Sequence, residues 1–132
     1  VYLFDTSAPA KQRRAQALFE ELALTGQALL STQVLQEFYV TVTQKLAEPV
    51  ELDAAYQAVR DLATLPLVQV DPQLVLAGIQ RSQRDRLSFW DALIVQAAIE
   101  GGAEVLITED LQHGRKFDGL VVQNPFRSMR AA

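Results

Sequence analysis

Apolar side chains recur at helical spacing through much of this chain, and turn-forming residues cut the pattern into elements. Ser7 and Pro9 precede a stretch from Ala10 to Leu24 in which Ala15, Leu18, Phe19 and Leu22 share one side, and Gly26 follows as a stop. After the short apolar run Ala28-Leu29-Leu30, Ser31 and Thr32 offer N-caps for a helix from about Gln33 to Leu46, ended before Pro49. Leu52 to Leu62 repeats the helical pattern through Ala55, Val59 and Leu62. Leu67-Val68-Gln69-Val70 reads as a strand, and Asp71-Pro72 supplies an N-cap and a first-turn proline for a helix to about Arg84. A further helix opens at Ser88, runs through Ile99 and closes at Gly101-Gly102. Glu104 to Thr108 is the clearest strand, and Leu120-Val121-Val122 is a shorter one after Asp118-Gly119.

Strands that alternate with helices imply β-α-β crossovers and a mainly parallel sheet with helices on both faces, an α/β class. Ligands in such sheets bind beyond the carboxyl ends of the strands. A chain of 132 residues fits one domain with one core and no linker. With no cysteine, disulfides and thiolate metal sites are excluded and a reducing compartment fits. No stretch approaches the roughly 18 continuous apolar residues of a membrane span, so the cytoplasm is the expected location, with no membrane partner.

A formal charge of −4 argues against gripping nucleic acid by global charge. Basic residues do cluster locally, at Lys11-Gln12-Arg13-Arg14, at Arg81 with Arg84 and Arg86, and at Arg115-Lys116. Each cluster also reads as an ordinary solvated face.

Three carboxylates stand out. The helix from Ser88 is apolar nearly all round, through Phe89, Trp90, Ala92, Leu93, Ile94, Val95, Ala97 and Ala98, and is expected to be buried. Asp91 in its first turn then has little water, and burying an unpaired carboxylate costs several kcal/mol. Ser88-x-x-Asp91 has capping-box spacing, and the helix N-terminus favours negative charge, so capping explains part of that burial. Asp110, in Thr108-Glu109-Asp110, follows the carboxyl end of a strand, where a ligand group belongs and where loop aspartates also bond local backbone. Thr108 is placed to orient it or a bound water. Glu37 lies about 60° outside the apolar arc of Val34, Leu35, Phe38 and Val42, a position that periodicity reads as surface. Like carboxylates brought close together repel, and a divalent cation relieves that repulsion. Hard oxygen ligands point to Mg²⁺ or Mn²⁺ rather than zinc.

Leu30-Ser31-Thr32-Gln33-Val34-Leu35-Gln36-Glu37-Phe38-Tyr39, Leu87-Ser88-Phe89-Trp90-Asp91-Ala92-Leu93-Ile94 and Leu106-Ile107-Thr108-Glu109-Asp110-Leu111 resemble, in order and spacing, the PIN-domain family, and within it the VapC-like toxins. The resemblance implies a three-layer α/β/α fold with a mainly parallel sheet. It further implies an endoribonuclease dependent on Mg²⁺ or Mn²⁺, an RNA substrate, a cognate antitoxin protein and a homodimer. Its acidic set falls on Glu37, Asp91 and Asp110 as catalytic metal ligands, with a water attacking the RNA phosphate. His113 either contacts phosphate or stands by.

The family places a further aspartate at the end of its first strand, in Asp-Thr-Asn. Asp5-Thr6-Ser7 after Val1-Tyr2-Leu3-Phe4 looks like that motif but matches a later segment of the family subset, so Asp5 is expected in a loop and the first strand and aspartate upstream of Val1. The absence of an initial methionine, the only one being Met129, agrees with this reading. The rival reading is a fold relative with impaired catalysis that binds protein or RNA. A phospho-acceptor receiver domain is disfavoured, because it requires an early acidic pair and a late lysine.

Overall fold

The computed structural model describes residues 8–127, so Val1–Phe4 and Asp5 lie outside the described residues. In chain order the elements are α1 (Pro9–Leu24), β1 (Leu30–Ser31), α2 (Thr32–Val40) continuing into a π-helical turn (Thr41–Lys45), α3 (Leu52–Leu62), β2 (Leu67–Val68), α4 (Pro72–Asp85), α5 (Phe89–Glu100), β3 (Val105–Ile107), β4 (Lys116–Phe117) and β5 (Leu120–Gln123). The chain divides into two compact units: the residues up to Ala28 with Val34–Pro66, and Leu29–Gln33 with the chain from Leu67 onward. The boundary falls within α2.

In the first unit, α1 turns Ala15, Leu18, Phe19 and Leu22 to its half-buried side and Arg13, Arg14, Glu20 and Glu21 to solvent, as the spacing predicts. A small core forms from Phe38, Val42 and Ala55, with Leu46, Val50, Ala58, Val59 and Leu62 packed against it. The hydroxyl of Thr43 donates to the Tyr39 carbonyl at 2.7 Å where α2 widens into the π-helical turn, and the Val50 amide donates to the Val42 carbonyl at 2.8 Å. The predicted helix end near Leu46 holds, because Leu46 itself is extended.

The second unit is built around α5. One side of the helix sends Val95 into a core with Phe117, Leu120 and Val122, lined by Leu106, Leu111, Ala98 and Ile99. The other side sends Leu93 and Ala97 against Leu74, Val68 and Val70. An all-round apolar helix is thus covered from two directions, by strands and by α4. Two glycines permit the close approach. A Cβ on Gly78 of α4 would lie 3.1 Å from Leu93 Cδ1. A Cβ on Gly101 would lie 2.8 Å from Val68 Cγ2 and closer still to Leu29 Cδ2. Gly101 is therefore needed for space and not for its backbone angle, since its φ is −79°.

The α/β class and the parallel pairing expected from the alternation are both present. β1 pairs parallel with β2 in the register Leu30↔Leu67 and Ser31↔Val68. β3 pairs parallel with β5, and β4 pairs antiparallel with β5, in the order β3-β5-β4. The β4–β5 hairpin was not foreseen as a pair, although its Asp-Gly turn was marked. Asp118 and Gly119 both take positive φ, at 49° and 90°, as a two-residue turn requires. The hydroxyl of Thr32, expected to cap α2, accepts from the Val70 amide at 3.0 Å and so extends the β1–β2 pairing by one bond.

A buried guanidinium ties this unit together. Arg81 of α4, only 5% exposed, donates from Nε to Gln96 of α5 at 2.7 Å, from one terminal nitrogen to Asp85 at 2.8 Å and from the other to Asp118 at 2.6 Å. Arg84 adds a second contact to Asp118 at 3.4 Å. The sequence reading placed Arg81 in a basic cluster, whereas burial with three acceptors makes it structural. Its hydrogen bond first, then its charge, hold the Asp118 carboxyl below the ordinary aspartate range, with Arg84 adding and slight desolvation opposing. No described helix is long and apolar enough to cross a membrane.

Gly101→Ala should lower stability by about 1–3 kcal/mol through overpacking, read as a shift of the urea midpoint at unchanged slope. Asp118→Asn should lower the melting temperature at neutral pH. The native carboxyl has the lower pKa, so its stabilisation exists above the unfolded-state value of about 3.9 and is lost as pH falls through the native value. The difference in melting temperature between variant and parent should therefore close below about pH 4.

Candidate metal and nuclease site

Asp91 stands in the first turn of α5, where the Ser88 hydroxyl accepts from the Asp91 amide at 3.1 Å. The Ser88 half of the expected capping box is thus formed. The expected burial is not. Ala92, Leu93 and Val95 are buried and Phe89 packs against the cluster of Leu74, Leu93 and Ala97, but Asp91 is half-exposed and Trp90 is 61% exposed, because neither cover over α5 reaches these two residues. Asp91 carries a smaller desolvation cost than the apolar run implies. The backbone of this turn is fixed from a second side, since Gln33 Nε2 donates to the Trp90 carbonyl at 3.1 Å.

Asp110 lies beyond the carboxyl end of β3, as expected, and is exposed. Its amide donates to the Thr108 hydroxyl at 3.1 Å, which fixes its backbone. The loop is held at its base by the Thr108 amide donating to the Gln123 carbonyl at 3.1 Å and the Gly114 amide donating to Val122 at 2.8 Å. His113 has a role that neither alternative foresaw. Its Nδ1 accepts from the Asn124 amide at 3.1 Å, while buried Asn124 accepts from the Phe126 amide at 2.9 Å. The neutral ring must then carry its proton on Nε2.

Hydrogen bonding separates the aspartates of the second unit into two groups. Asp71 caps α4 through the Leu74 amide at 2.8 Å, and Asp85 and Asp118 hold Arg81. The carboxylates of Asp91 and Asp110 meet no hydrogen-bond or ion-pair partner among the described residues, although both backbones are pinned. Their oxygens are available to a ligand. Glu37 sits on α2 in the first unit, exposed beside buried Phe38, as its place on the helical wheel predicts. Among the described residues no three His, Cys, Asp or Glu side chains gather into a group able to hold a metal ion. The donor chemistry of pinned, unengaged carboxylates suits a hard divalent cation.

Sequence reasoning missed Arg81, whose burial no local pattern marks. It also grouped Trp90 with the core, because an all-round apolar pattern does not say which part of the helix surface its neighbours leave uncovered. No curated protein matches the chain. The PIN-domain family model matches residues 1–117, which include all three motif segments. PIN domains are generally nucleases and usually use divalent metal ions. The chain belongs to the PIN-domain family.

Proposed function

We propose that this chain is an endoribonuclease dependent on Mg²⁺ or Mn²⁺, acting as the toxin of a toxin–antitoxin pair. The observation that carries the reading is the pair of unengaged, backbone-pinned carboxylates, Asp91 and Asp110, in a unit whose other aspartates are held by structure. Asp91 and Asp110 are the residues of the second unit that would hold the ion, and Glu37 is added to the same set by the motif resemblance alone. When bound, the ion polarises the phosphate and supplies a water of lowered pKa as nucleophile. The chain's own part is positional. Ser88 and the first turn of α5 fix the backbone of Asp91, and the helix N-terminus favours the added negative charge of a phosphate. Thr108 and the β3–β5 pairing fix Asp110. A protein antitoxin covering these carboxylates and a homodimeric assembly belong to the same proposal and rest on the motif resemblance.

Purified protein should cleave single-stranded RNA in Mg²⁺ or Mn²⁺ and stop in chelator. Asp91→Asn and Asp110→Asn should each reduce the rate by at least about 100-fold, more than loss of an outer-shell partner. The melting temperature of Asp110→Asn should stay the same or rise, since its carboxylate is not engaged in the fold, while Asp91→Asn should melt at most slightly lower through loss of a favourable charge at the α5 N-terminus. Cleavage that persists in chelator, or at full rate in Asp91→Asn, contradicts the proposal. A neighbouring reading frame for a small DNA-binding protein would favour the toxin role over another nuclease role.

A further inference from the structure

The first turn of α5 carries an exposed indole that its packing does not explain. Trp90 is 61% exposed on a helix otherwise covered from two directions, and its neighbour Asp91 is a proposed ion-holding residue. Leaving a large aromatic face in water forgoes some of the most favourable burial a side chain can give. The ring is nevertheless held. Phe89 meets it edge-on, with centroids 5.1 Å apart and planes at 69°, and Gln33 anchors its carbonyl. An ordered, exposed aromatic face is a preformed stacking platform.

Arg86, immediately before this turn, adds an independent observation. It ends α4 in the left-handed conformation, with φ 55° and ψ 44°, at a position where glycine is the usual choice. A bulky side chain there is strained, and strain of this kind collects at working sites. Its guanidinium meets no partner among the described residues, unlike those of Arg81 and Arg84, which are paired with carboxylates. The helix C-terminus attracts a cation, but that attraction needs no arginine in the strained position itself.

We propose that Trp90 and Arg86 form a recognition element for single-stranded RNA, with the indole stacking on a base next to the phosphate presented to Asp91 and Arg86 pairing with a neighbouring phosphate. The inference rests on the nuclease reading for the placement of the phosphate. It deepens that reading by selecting unpaired strands, because a base inside a duplex cannot offer its face. Stacking tolerates any base, so this element sets strandedness and register rather than sequence.

Trp90 is the only tryptophan in the chain, so its fluorescence reports the contact directly. Titration in chelator, where cleavage stops, should show a water-exposed emission in free protein and saturable quenching by oligoadenylate, with none by an RNA duplex of equal length. With labelled oligoadenylate, Trp90→Ala should weaken binding about ten-fold and Trp90→Phe much less. Arg86→Gly should weaken binding and reduce the slope of log affinity against log salt by about 0.7, while melting at the same or a higher temperature. RNA binding without quenching, an affinity for Trp90→Ala within two-fold of the parent, a buried emission in free protein, or no RNA binding at all would each overturn the element. Cleavage in Mg²⁺ is scored separately. Normal cleavage with no Trp90 effect sinks this inference alone, and quenching without cleavage sinks the nuclease reading alone.

Discussion

The second unit depends on one constraint, that α5 has no polar side and must be covered twice. Phe89, Leu93 and Ala97 take one cover from α4 and β2, and Val95, Ala98 and Ile99 take the other from β3, β4 and β5. The first of these covers needs close approach. Gly78 lets α4 approach, and Gly101 ends the helix where Leu29 and Val68 leave no room for a Cβ. The helix is fixed in place by burial, and its first turn is anchored by Phe89 while exposed Trp90 and half-exposed Asp91 lie outside both covers.

Charge is divided to match. Buried Arg81 needs acceptors, and it takes Asp85, Asp118 and Gln96, joining α4, α5 and the β4–β5 turn. Breaking one partner of such a set strands a buried charge, which is why these acids are not available for other chemistry. Asp91 and Asp110 are held only through their backbones, by Ser88 and Thr108. A carboxylate with a fixed main chain and free oxygens is prepared for a ligand, because the ordering cost has already been met by the fold.

How much was readable from the sequence follows from which interactions are local. Helix limits were legible wherever a cap or stop marks them: Asp71-Pro72 for α4, Ser88 for α5 and Gly26 after α1. Asp91 and Asp110 were legible because motif spacing places them at a helix start and a strand end. Long-range facts were not. Thr32 looked like a cap and instead accepts from Val70, 38 residues on. Arg81 looked like surface and is buried, because its acceptor on Asp118 lies 37 residues away. His113 looked like a phosphate contact or a bystander and holds the Asn124 amide across a loop. The apolar run around Asp91 overstated its burial, since an all-round apolar pattern does not say which residues the neighbouring elements cover.

The central claim is that the second unit keeps Asp91 and Asp110 free for a cation while engaging its other aspartates. Paramagnetic broadening of backbone amide resonances by sub-stoichiometric Mn²⁺ tests it most directly. The account requires the amides of Ser88 to Asp91 and Thr108 to Asp110 to broaden first, with those of Asp71, Asp85 and Asp118 retained. Broadening centred on Asp85 and Asp118, or spread evenly over the acidic residues, would contradict it.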